Sequence, residues 1–345
     1  MKRSAIKTDL FAGDKRREKL DSLGDPLVFL DRHVDFSALA AEVDRVAPRK
    51  VDPNGGGRPP YPTETMVRIL ILKRLNNLSD EQMEYQLLDR MSYQRFCGLT
   101  HSACIPDRNT VWMFENRIGV DGAAALFDQV QQQIARHGYI ARCGQIIDAT
   151  LVPAPKQQFS KEEKDILAQQ AMPADWSPAK RRQKDLDASW TKKHGKSHHG
   201  YKLTVNTDKR YKVIRRIEMS DDAPHDSQHF DAVLDPANTA REVYADKGYA
   251  SGERERALRE AGYRDRIQRK AARNHPLPKR QEQRNHTLSK TRSRVEHIFA
   301  GIEQMGGKFI RTVGMARAKF GMTMMAATYN LKRLVYLKEA RIAPF

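Results

Sequence analysis

Val243-Tyr244-Ala245-Asp246-Lys247-Gly248-Tyr249 reads as a short apolar strand that ends on a carboxylate and turns at a glycine. That pattern places an acid at the C-terminal rim of a sheet, where α/β proteins keep their chemistry. A second string, Gly144-Gln145-Ile146-Ile147-Asp148-Ala149-Thr150, has the same form and makes Asp148 a second strand-end acid. A third acid, Glu296, lies in a helical segment over residues 291–299. Two strand-end aspartates and a helix glutamate, on a chain of formal net charge +18, point to metal-dependent chemistry on a nucleic acid.

Composition narrows the class. A chain of 345 residues has room for about two domains. The 61 Lys and Arg against 43 Asp and Glu call for a polyanionic partner, and 39% apolar residues are enough for a core. Cys97, Cys104 and Cys143 are spaced neither as a disulfide framework nor as a zinc knuckle, and read as small buried side chains in a reducing compartment. No apolar run approaches the length of a membrane span, and the N-terminus lacks the apolar core of a signal peptide. The expectation is a cytoplasmic, nucleoid-associated protein with no membrane partner.

Residues 1–140 read as all helical. A break falls at Gly24-Asp25-Pro26, and Asp35 opens a further helix. Residues 52–62, rich in Gly and Pro, can only be a loop. Thr63 reads as the cap of an apolar helix reaching Leu75, and Asn76-Asn77-Leu78 as a tight connection. Ser79-Asp80-Glu81-Gln82 is a capping-box pattern that opens a helix to about Arg90, with another from Ser92. Helix, short turn and helix over about 63–97 suit a DNA-binding helix-turn-helix and an ordinary bundle equally. Asp107 or Asn109 caps a helix that holds Trp112, read as core, and reaches Gly119; another covers 121–136.

The pattern changes after residue 143. Strands are expected at 145–152, 201–207, 211–219, 243–246 and 264–269, with helices at 225–234, 251–261, 287–305 and 315–337. Residues 154–195 form a polar, basic insertion. The expected fold class is α/β, a mixed sheet flanked by helices behind an all-helical N-terminal domain.

Three carboxylates from separated positions make a hard, oxygen-rich pocket for Mg²⁺ or Mn²⁺. Two such ions can clamp a phosphodiester. Asp148 would bridge both, Asp246 would hold one and Glu296 the other; Glu303, seven residues on and on much the same helix face, is the rival third acid. Lys192, Lys193, Lys196, Lys202, Lys247, Arg292 and Arg294 are candidate phosphate contacts, and His194, His198 and His199 extend that basic surface. Trp176 and Trp190, in the insertion, are candidates to stack on a frayed base at a DNA end.

These blocks resemble a known family. Tyr244-Ala245-Asp246-Lys247-Gly248-Tyr249, Ile147-Asp148-Ala149-Thr150-Leu151-Val152 and Arg292-Ser293-Arg294-Val295-Glu296-His297-Ile298-Phe299 are similar to the three catalytic blocks of bacterial insertion-sequence transposases of the DDE class. The nearest group is the one named for insertion sequence five. Pro106 to Trp112, Arg16 to Leu20, Gly24 to Leu27 and His199-Gly200-Tyr201-Lys202 also resemble that group. In the group's third block, Ser289 stands where a Tyr is usual and Glu303 where a Lys is usual. The resemblance implies an RNase H-like catalytic domain over 141–340 and a helical domain over 1–140 that binds transposon ends. It implies Asp148, Asp246 and Glu296 as a triad with Mg²⁺ or Mn²⁺, and a homodimer or larger assembly on inverted-repeat ends and target DNA. The implied activity is DNA strand cleavage and transfer at terminal inverted repeats. A catalytically inactive domesticated copy and a structure-specific nuclease of the same fold are the alternatives.

Overall fold

The computed structural model describes residues 8–49, 59–169, 171–193, 195–221, 229–272 and 274–345. Most of the expected loop at 52–62, the first part of the helix expected at 225–234, and His194 lie outside these residues.

Six strands make one mixed sheet: β1 (Gln145–Pro153), β2 (Ser189–Lys193), β3 (Lys196–Asp208), β4 (Ile214–Asp221), β5 (Glu242–Ala245) and β6 (Arg264–Ile267). β1 and β4 flank β3 in antiparallel pairs, and β5 joins β1 and β6 in parallel. The order β4-β3-β1-β5-β6 is the RNase H-like arrangement, with β2 added along the start of β3. Both faces are covered, so β3 is buried from His199 to Asp208 even though its sequence alternates apolar residues with Lys202, Thr204 and Asn206. Ile146, Val152, Tyr201, Leu203, Val205 and Tyr244 enter the larger core cluster. Ile147, Val243 and Ala245 enter a smaller one with Phe230, Val233, Leu258 and Ile267.

Asp148 is not at a strand end, contrary to the sequence expectation. β1 runs on to Pro153 because β3 continues to pair with it. What ends near Asp148 is the pairing with β5. The parallel register Gln145↔Val243 and Ile146↔Tyr244, carried two residues further, sets Asp148 level with Asp246. At Gly200 β3 passes close over β1, and a Cβ there would meet the Val152 carbonyl oxygen at 2.3 Å.

Seven helices precede the sheet: α1 (Ala12–Leu23), α2 (Pro26–His33), α3 (Phe36–Val46), α4 (Thr63–Leu75), α5 (Asp80–Asp89), α6 (Met91–Phe96) and α7 (Arg108–Arg136). The Ser79–Gln82 capping box forms as read, and Asp107 caps α7 through the Thr110 N–H. Thr63 is not a cap: Pro62 holds that position, and the Thr63 hydroxyl donates to Asp44. α4 is buried along most of its length. α7 breaks at Gly119, whose φ of 53° and ψ of −159° leave the helical region, where two helices were expected to meet.

Within and beyond the sheet lie α8 (Lys161–Ala168), α9 (Pro178–Gln183), α10 (Phe230–Val233), α11 (Gly252–Glu260), α12 (Lys279–Arg292), α13 (Arg294–Gln304) and α14 (Met315–Glu339). The single helix expected over 287–305 is two. α12 starts eight residues early because Pro278 precedes a run of polar helix formers with little apolar periodicity, and it stops at Arg292. α14 packs on α7, α4 and α2 as well as on β4, so one apolar cluster runs from Leu30 in α2 through β1 and β3 to Leu337. Among the described residues no helix is long and apolar enough to cross a membrane.

Outside the candidate site, four side chains differ from their expected burial. Trp112 is 51% exposed, on the outer face of α7, because the helix turns Val111 and Phe114 inward instead. Trp176 is 2% exposed. It stacks on Phe159, donates to Glu163 at 2.8 Å and lies under Lys180 and Lys184, giving the insertion a core of its own. It is therefore closed to a DNA base. Cys104 is exposed and Cys143 half-buried, and only Cys97 has the buried environment expected of all three.

Candidate active site

Side-chain parity puts Asp148 and Asp246 on one face of the sheet. Asp148 shares its face of β1 with Ile146, and Asp246 follows Tyr244 by two residues; both of those apolar side chains belong to the larger cluster. α13 lies on that face through Val295, Ile298, Phe299 and Ile302. Its first turn carries Glu296, 61% exposed. Asp246 caps a short 3₁₀ turn over Lys247–Tyr249, accepting from the Lys247 N–H at 2.6 Å.

Arg292, the last residue of α12, draws two of the acids together. Its Nη1 donates to Asp148 Oδ2 at 2.5 Å and lies 3.6 Å from Glu296 Oε1. Burial pushes the Asp148 carboxyl up to about 6. The Arg292 charge and the Ala149 N–H pull it down, and the charges of Glu296 and Asp246 push it up further. The three acids therefore share one electrostatic environment.

Among the described residues no three His, Cys, Asp or Glu side chains are gathered closely enough to enclose a metal ion. Arg292 stands between Asp148 and Glu296, and Asp246 is turned to its own backbone. The donor chemistry nonetheless fits a hard divalent cation. All three candidate groups are carboxylates, and the buried one is held at a raised pKa that a nearby cation would lower.

The remaining candidates separate by position. Lys247 adjoins Asp246 and is exposed. Exposed Arg294 donates from Nη1 to the Lys209 carbonyl at 2.9 Å. Lys192 and Lys193 belong to the β2–β3 hairpin, with Lys192 exposed. That hairpin extends the sheet past Pro153, roughly 17 Å beyond Asp148 at a strand's rise per residue. Lys202 pairs with Leu151 and Ser220 on the opposite face from Asp148 and is 8% exposed. His199 is 2% exposed and burial lowers its pKa, so it does not extend the basic surface as expected. Trp190, 48% exposed, leans on the His199 ring. Glu303 is exposed and pairs with Lys308 at 2.8 Å.

The Arg292–Asp148 pair itself is not legible in the sequence, since 144 positions separate its members. Nor is the cluster at the foot of β5, where Glu242 accepts from Lys209 at 3.0 Å and from the Tyr244 hydroxyl at 2.9 Å. The alternation of Glu242 and Tyr244 along one strand face was the available signal for half of it.

Two families match the chain: one described as a transposase DDE domain, over residues 140–331, and one described as a transposase domain, over residues 15–117. Among solved structures, the chain is similar to a cryo-EM structure of piggyBac transposase in a synaptic complex with hairpin DNA. The identity is 11% and the TM-score 0.44, covering 95% of this chain and 78% of that one. The first family match spans more than half of the 345 residues, and the chain belongs to the transposase DDE-domain family.

Proposed function

We propose that this transposase serves an insertion sequence of the insertion-sequence-five group, binding terminal inverted repeats and cutting and joining DNA strands with Mg²⁺ or Mn²⁺. The observation that carries the reading is the set of Asp148, Asp246 and Glu296 on one sheet face, with Arg292 joining two of them. Asp148 would be the shared ligand, Asp246 and Glu296 the outer ones. When bound, the ions would supply Lewis-acid activation of the attacking oxygen and neutralise charge on the leaving oxygen. Glu296 is favoured over Glu303 because its charge reaches Asp148, whereas Glu303 is paired with Lys308.

Arg292 and Lys247 would hold the phosphates beside the reacting one, with Arg294 at the next turn. The hairpin lysines Lys192 and Lys193 pair with Ser197 and Lys196, eight and nine residues along β3 from the level of Asp148, and would meet DNA roughly 26–30 Å, about eight base-pair steps, from it. In this reading residues 1–140 and 141–340 divide end recognition from catalysis, and the working species is a homodimer or larger assembly on paired ends.

The test is Mg²⁺-dependent cleavage of a duplex bearing the inverted repeats that flank the coding sequence. Asp148→Asn, Asp246→Asn and Glu296→Gln should each lower the rate by at least about a thousandfold. Full activity in Asp246→Ala would refute the assignment. Tight end-binding without cleavage by the native chain would identify an inactive copy, and cleavage indifferent to terminal sequence a structure-specific nuclease.

A further inference from the structure

Arg292 occupies the place a bridging cation would need. Its Nη1 lies 2.5 Å from Asp148 Oδ2 and 3.6 Å from Glu296 Oε1. Both carboxylates that would hold one metal ion are already engaged by this guanidinium, so a metal ion and Arg292 would compete for the same negative charge. The remaining donors of Arg292 are not fully used: Nε is buried and has no hydrogen-bond partner. A guanidinium with one edge committed and Nε unsatisfied is suited to a second, bidentate acceptor, and a phosphate offers one.

Its place in the chain lets it move. Arg292 is the last residue of α12, and the helix breaks at Ser293, whose hydroxyl turns back to the Lys290 carbonyl at 3.1 Å. The side chain can swing without unwinding a turn of either helix. Its side chain is 22% exposed, so solvent and a DNA backbone can reach it.

We infer that Arg292 is a built-in counter-cation that competes with the metal for Asp148 and Glu296, and that its release onto a DNA phosphate couples metal binding to DNA binding. This rests on the triad proposed above. Metal arrival frees Arg292 for a phosphate, and a phosphate that captures Arg292 opens the carboxylates to metal. Linkage makes the two effects equal: DNA raises metal affinity by the factor by which metal raises DNA affinity. Such a site binds metal weakly until DNA is present. The coupling needs no base recognition, because the partner is a backbone phosphate.

Calorimetric titration of Mn²⁺ into the full chain tests it, with and without a short duplex of arbitrary sequence. In the native protein the duplex should tighten Mn²⁺ binding at least about fivefold. Arg292→Gln should bind Mn²⁺ roughly tenfold tighter than native without DNA, and the duplex should then add nothing. Arg292→Lys, which keeps a movable positive charge, should retain part of the coupling. Native Mn²⁺ affinity indifferent to the duplex, or Arg292→Gln binding Mn²⁺ no tighter than native, would overturn the inference and leave the triad standing. Unchanged Mn²⁺ binding in Asp148→Asn would instead sink the triad, and this inference with it.

Discussion

At Asp148 burial raises the carboxyl pKa to about 6 even though the Arg292 guanidinium lies 2.5 Å away. Desolvation outweighs the ion pair, so the folded chain holds the proton up to about pH 6. The folded pKa stands above the unfolded value, and the stability this group contributes is therefore complete below about pH 4 and lost as pH rises through about 6. A divalent ion needs the carboxylate and repays the loss. Thermal stabilisation by Mg²⁺ should be small near pH 5, grow through about pH 6 to a plateau, and vanish in Asp148→Asn. At pH 8 without added metal, Asp148→Asn should be as stable as native or more so, by roughly 1–3 kcal/mol. A clear loss of stability in that variant would contradict the dominance of burial. The acid after an apolar run is legible in the sequence. Its burial is not, because burial depends on the α12–α13 break and on β3 carrying β1 five residues past it.

Local sequence codes were legible among the elements wherever the partner was close in the chain. The Ser79 capping box, the Asp107 cap and the Gly119 break each involve residues within a few positions. The boundary of α12 was not, because its helix formers are polar and little apolar periodicity marks them. The insertion shows the same limit. Its polar composition says surface, yet Phe159, Trp176, Lys180 and Lys184 build a small cation–aromatic core. Trp176 and Trp190 should therefore behave oppositely. Trp176→Ala should open residues 160–185 to limited proteolysis, as loss of a buried aromatic costs about 3–5 kcal/mol. Trp190→Ala should leave the digestion pattern unchanged and weaken DNA binding about fivefold or more, if the exposed ring stacks on a base. Equal proteolytic sensitivity in both variants would refute the distinction.

Across the whole molecule, the mixed sheet flanked by helices was expected from the alternation of strands and helices, while β2, which falls in the segment read as a polar insertion, was not. Nor was the union of helices and sheet through α14. A long apolar helix at the end of a chain does not reveal which neighbours it meets, and α14 meets both. The core is continuous across residue 140. The chain should unfold in one cooperative thermal transition, and a fragment of residues 141–345 should aggregate, because it exposes the face of α14 that α7, α4 and α2 cover. A soluble fragment with native circular dichroism would show that the helices and the sheet fold independently.

The position of α14 also sets an order in time. Residues 12–136 leave the ribosome first, but the helix that closes their bundle ends at Glu339. At about 5–20 residues per second, roughly 10–40 s of synthesis separate the two. Through that interval the nascent N-terminal helices carry an open apolar seam, which closes only once α14 has been made.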